Sequence, residues 1–96
     1  MSSAFNKWLI RKYNTFSASS DMTLTMEQSG SVLFLSSGPT ITLPSVTDNA
    51  GANFKFINNG TDDSKITDGS TEVTLAQDKL AECICDGSKW HMLVLN

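Results

Sequence analysis

The sequence predicts an all-β fold: a small sandwich or barrel-like domain of about eight short antiparallel strands, led by an N-terminal helical or extended arm. Three observations predict it. From Asp21 to the C-terminus, apolar and polar residues alternate with period two in one short run after another. Glycine, proline or asparagine punctuates the chain between those runs. Residues 3–16 break both habits, with Phe5, Trp8, Leu9, Tyr13 and Phe16 recurring at three- and four-residue intervals. The expected division is an anchoring arm over residues 1–20 and a β domain over residues 21–96.

The arm comes first. Its apolar residues fall on one side of a helix, with Asn6, Lys7 and Arg11 on the other, and Ser2 or Ser3 is placed to cap its start. Such a stripe either packs on its own domain or docks on another chain, with aromatics as anchors and basic residues at the rim. The polar joint "SASSD" and the change in composition favour docking. The anchoring set is Phe5, Lys7, Trp8, Leu9, Arg11, Lys12, Tyr13 and Phe16.

The strands follow in order. "MTLTM" turns Met22, Leu24 and Met26 one way and its threonines the other. "VLFLS" is apolar on both faces and suits a central or interface position. "TITLP" sends Ile41 and Leu43 inward and stops at Pro44, which has no N–H for a ladder. "NFKFIN" sets Phe54 and Phe56 against Lys55, and "NNG" suits a turn with positive φ. "SKIT" and "EVTL" are short strands around the turn "DGST". "KLAECIC" places Leu80 and Ile84 opposite Ala81, Cys83 and Cys85. "SKWHMLVL" closes the chain with both faces apolar, so both are expected to be covered.

Ninety-six residues are enough for one domain with a modest core. Only 18% of residues are charged, which suits a β surface partly covered in an assembly. Residues 1–16 hold three basic residues and no acid, whereas residues 17–96 hold four lysines against ten acids. Those halves, at +3 and −6, sum to the chain's net −3. An acidic body repels nucleic-acid phosphates, so no nucleic-acid partner is expected. No apolar run is long enough to span a bilayer, and "KWLIRKY" is too short and too basic for a secretory core. Synthesis in the cytoplasm, with no membrane partner, is the expectation.

Catalytic chemistry finds little support. His91 is the one histidine, and a Cys–His nucleophile would need Cys83 exposed in an electropositive setting. Cys83 and Cys85 read as buried free thiols, and with His91 they lack the second ligand pair of a known zinc spacing. The acids of "TDDSKITDGSTE" suit turns, and their spacing does not match an EF-hand loop for calcium. No catalytic residue, metal or cofactor is assigned.

The order "ITLP", Gly51, "FKFIN", Ile66 with Gly69, and "DGSKW" resembles a small β module of tailed-bacteriophage virion proteins, found in head decoration (cement) proteins and in tail fibre or spike domains. The resemblance covers residues 30–96. It implies a non-enzymatic virion structural protein and a homotrimer. A copy beginning at Met1 and ending just after its last strand fits a capsid decoration protein, attached to the head shell through its N-terminal segment. The partner would be the major capsid protein or another virion protein, and the location the capsid surface or the tail. The alternative is a tail fibre, spike or adaptor component that binds the tail or a host-surface glycan.

Overall fold

A computed structural model describes residues 13–47 and 49–95. Among these residues, nine strands form two sheets, with a 3-10 turn at Met26–Gln28. The strands are β1 (Thr15–Ala18), β2 (Met22–Thr23), β3 (Ser31–Leu35), β4 (Thr40–Thr42), β5 (Asn53–Asn58), β6 (Ser64–Thr67), β7 (Glu72–Leu75), β8 (Leu80–Cys85) and β9 (Trp90–Leu95). One sheet has the order β1-β3-β5-β8-β9, and the other β2-β4-β6-β7. The all-β prediction therefore holds. The expectation that the strands are all antiparallel does not.

Through β6 the chain changes sheet with every strand. β1, β3 and β5 run parallel in one sheet, and β2, β4 and β6 run parallel in the other. The first six strands thus make three flattened coils. Antiparallel pairing begins only afterwards, with β7 on β6, β8 on β5 and β9 on β8. Period-two alternation sets which way a side chain points and is the same for either strand direction, so the pattern alone did not distinguish them.

The inner faces meet in one core. Leu33, Leu35, Phe54, Phe56, Ala81, Cys83 and Cys85 come from the larger sheet, and Ile41, Ile66 and Leu75 from the smaller. The alternation read from "NFKFIN" and "KLAECIC" is realised: Phe54 and Phe56 are fully buried, as are Ala81 and Cys83. In "MTLTM", Met22, Leu24 and Met26 pack on the core and the threonines face out as expected, but the strand covers only Met22–Thr23. Leu24 still donates its N–H to Thr42, but Met26 enters the 3-10 turn, where Gln28 Oε1 accepts from the Thr25 N–H at 2.9 Å.

Two glycines show different physics. Gly38 takes φ +68° between β3 and β4, a backbone state that glycine adopts without strain. Gly60, expected to need positive φ, does not have it. A Cβ there would lie 3.0 Å from the Ser36 Cα, so glycine is required by close approach of two connections.

The boundary of the arm also moves. Thr15–Ala18 is a strand of the body, parallel to β3, and Ala18 is in the core. Asp21 Oδ1 accepts the Thr40 N–H at 2.8 Å, so the polar joint is tied into the fold. The helical spacing read across residues 3–16 does not hold at its C-terminal end. Phe5, Lys7, Trp8, Leu9, Arg11 and Lys12 lie outside the described residues.

Candidate functional site

Tyr13 and Phe16, the two described members of the anchoring set, lie on opposite sides of the larger sheet. Phe16 is the register partner of Leu33, on the core side, yet it stands on an edge strand and is 39% exposed. Tyr13 reaches the outer side, where its phenol oxygen accepts a hydrogen bond from the Lys55 ammonium at 2.7 Å. That bond is the main reason the lysine's pKa is raised.

Beyond Tyr13, the outer face of this sheet is largely apolar. One cross-strand row runs Ser17, Phe34, Ile57, Leu80, Leu95. A second runs Thr15, Val32, Lys55, Glu82, Leu93, and Ile84 stands beside His91 in a third. Leu93 is 58% exposed, Ile84 46% and Leu95 37%. The last strand was expected to be covered on both faces; among the described residues, nothing covers Leu93 and Leu95 on its outer face. The smaller sheet differs. Its outer positions are Thr23, Thr40, Thr42, Lys65, Thr67, Glu72 and Thr74, with a 3.7 Å ion pair between Lys65 and Glu72.

A cleft of about 870 Å³ opens at one end of the body. The segment after β4 and the turns after β6 and β8 converge there. Leu43, Val46, Trp90 and Met92 supply its apolar wall, with Ser45, Asp68, Ser70, Thr71, Ser88, Lys89 and His91 around it. Trp90 is buried, its ring centroid 5.9 Å from that of Phe54, and its indole N–H donates to the Pro44 carbonyl at 2.8 Å. The indole is therefore part of the core and offers no exposed stacking platform.

Asp68, which lines this cleft, and Asp86, which contacts its His91, are committed to local structure. Asp68 Oδ1 accepts the N–H groups of Ser70 and Thr71, which hold its pKa below the ordinary value. Asp86 Oδ2 lies 2.7 Å from His91 Nε2, and its Oδ1 accepts from Ser88 and Lys89. The histidine contact, followed by the two amides, holds Asp86 well below the usual carboxylate range. The Cys–His idea fails on geometry. Cys83 faces the core opposite Met92, whereas His91 pairs with Ile84 on the outer side. Burial, followed by the charge of Glu82, pushes the Cys83 thiol up to about 12. Among the described residues, no three His, Cys, Asp or Glu side chains cluster as metal ligands.

One structural residue that sequence reasoning missed is Asn58. It is fully buried at the end of β5. Its side-chain amide donates to the carbonyls of Asp62 and Leu75, both at 2.8 Å, and its Oδ1 accepts the Gly60 N–H at 2.9 Å. Leu75 belongs to the other sheet, so Asn58 brackets the two layers. The signal available was an asparagine in phase with Phe54 and Phe56 on the inward side of "NFKFIN".

No family model matches the chain, and no curated protein matches it. Among solved structures, the chain is similar to a fragment from enterohemorrhagic E. coli, StcE(132-251), with a TM-score of 0.54 and 14% identity. The match covers 85% of this chain and 95% of that one. At that identity the likeness is one of fold alone.

Proposed function

We propose that this chain is a non-enzymatic structural protein of a bacteriophage virion: a homotrimeric capsid decoration protein fastened to the head shell through its N-terminal segment. The observation that carries the reading is how the segments bearing the phage-module resemblance meet. "ITLP" and "DGSKW" lie far apart in sequence, and the Trp90 indole hydrogen-bonds the Pro44 carbonyl at 2.8 Å. The asparagine that closes "FKFIN" brackets the two sheets through Leu75. The motif residues thus act as one physical unit, as a building module requires.

The fastening residues would be Phe5, Lys7, Trp8, Leu9, Arg11 and Lys12, with Tyr13 at the root of the segment. Three arms on one trimer would bind with high effective concentration once the first is seated. Because β1 belongs to the body, the informative truncation removes residues 1–12 and spares Thr15–Ala18. The expected outcome is a folded protein that no longer co-sediments with empty heads of the phage whose genome carries the gene. Co-sedimentation equal to that of the full chain would sink the anchoring role.

A second reading, a tail fibre, spike or adaptor part that binds a host-surface glycan, draws on the cleft. Its hydroxyls from Ser45, Ser70, Thr71 and Ser88 suit sugar recognition more than apolar ligands. Electron microscopy of virions labelled with an antibody to the protein separates the two: label on heads supports the first, label on tails the second.

A further inference from the structure

We propose that the outer face of the five-stranded sheet is the surface on which two further copies of this chain pack, three such faces closing around a threefold axis. The inference rests on the homotrimer reading above and names its interface.

The contrast between the two outer faces is the first argument. Both belong to sheets of similar strand length in one small body, yet one is threonine with an ion pair and the other carries Phe34, Ile57, Leu80, Ile84, Leu93 and Leu95. Solvent on both sides would favour threonine-like residues on both. A contiguous apolar face rimmed by polar residues marks an association surface.

Charge selects the occupant. The body is acidic, so two copies repel over most of their surfaces. Among the strand residues on the outer side of the larger sheet, Glu82 is the one acid, with Lys55 as its direct cross-strand partner, and at the rim of that face Asp86 is held by His91 at 2.7 Å. On each copy, Lys55 and Glu82 balance one another across neighbouring strands, so this face carries less net negative charge into a contact than the rest of the acidic body.

Dimensions fit three copies. Five strands span four spacings of ~4.8 Å, or ~19 Å. Three faces of that width, set as the sides of a triangular prism, each stand ~5.5 Å from the axis, about half the ~10 Å at which sheets pack face to face. Asn53, Lys55 and Ile57, the outward residues of the middle strand, come nearest the axis. At the corners, the free edge of β9 approaches β1 of the next copy, bringing Leu93 and Leu95 towards Tyr13 and Ser17.

The test uses the purified full chain, without capsids, so that its result is independent of head attachment. Sedimentation equilibrium is expected to give three times the 10.4 kDa chain mass. A Leu93→Glu, Leu95→Glu double variant should fall to the single-chain mass with an unchanged far-UV β spectrum, because both side chains are exposed within one chain. Thr74→Glu, on the outer side of the smaller sheet, should remain trimeric. Should the double variant fail to fold, Leu80→Ser provides a milder lesion at the same face and should weaken assembly in the same way. A wild-type monomer overturns the proposal, and a dimer overturns the threefold arrangement. A trimeric double variant moves the interface elsewhere. A monomeric full chain whose 13–96 version trimerises would also overturn it, since the face would then be covered by the chain's own N-terminal segment.

Discussion

The two sheets share one core but turn opposite surfaces outward. The smaller sheet shows what this chain does with a strand face that meets water: Thr23, Thr40, Thr42, Thr67 and Thr74, with the Lys65–Glu72 pair. Threonine keeps the β-branched shape that suits a pleated strand and leaves a hydroxyl for solvent. The larger sheet departs from that solution only on its outer side, where leucine and isoleucine replace threonine. The difference separates a face composed like a solvated surface from one that is not. Both inner faces are explained by folding, whereas Ile84, Leu93 and Leu95 on the outer face stay exposed in the folded chain.

Substitutions can break or sharpen that comparison. The largest effect is expected at the bracket that keeps the layers together. Asn58→Ala strands the Leu75 and Asp62 carbonyls and the Gly60 N–H, and should cost on the order of 3 kcal/mol. Urea denaturation would show it as a lowered midpoint, and an unchanged midpoint would remove the asparagine from the account. Trp90→Phe keeps the aromatic packing on Phe54 but removes the indole donor to Pro44, for an expected loss of about 1–2 kcal/mol.

Acid should have a smaller effect. Asp86 and Asp68 both titrate below their ordinary range in the folded chain. Their contribution is thus fully present above about pH 4 and is lost as pH falls through the depressed folded values. Thermal midpoints should decline on that acid limb, and His91→Ala should flatten it by removing the main cause of the Asp86 shift. A limb of unchanged slope in that variant would show the contact to be without consequence for folding. The smallest effect sharpens the contrast directly. Thr42→Val with Thr74→Val should shift the denaturation midpoint by no more than about 0.5 kcal/mol equivalent, because surface exchanges away from special features are nearly neutral. A larger shift would mean that the threonine face does structural work.

Much of the strand layout was legible in sequence because alternation is a local signal. β5, β6 and β7 fall on the residues quoted for them, and the inward set of "KLAECIC" is the buried one. Strand direction was not legible. Pairing of Val32 with Lys55 in parallel depends on where the intervening chain crosses, and no side-chain pattern records that. β1 was hidden because Tyr13 and Phe16 continue a helical interval begun by residues further upstream, while its own strand signal is only four residues long. At the candidate sites, the outward direction of Leu93 and Leu95 was legible, but whether a single chain would cover them was not, since both faces of "WHMLVL" are apolar. The meeting of Trp90 with Pro44 joins distant segments and had no local signal at all.

The alternation of strands between sheets also bears on the order in which the chain folds. Thr15 reaches its partner Val32, and Ser31 its partner Phe54, only after the chain has crossed to the other sheet and returned. Each parallel pair must therefore close a long loop before any contact compensates for the lost entropy. The β6–β7 and β8–β9 hairpins close through short turns, with Asp68 and Asp86 already collecting the turn amides. Structure should accordingly appear first at the C-terminal end and spread towards β1, the reverse of the direction in which the ribosome delivers it. Pulse-labelled amide exchange would read this as protection of β8 and β9 before β1, and the coils would wait, unpaired, until the last third of the chain has emerged.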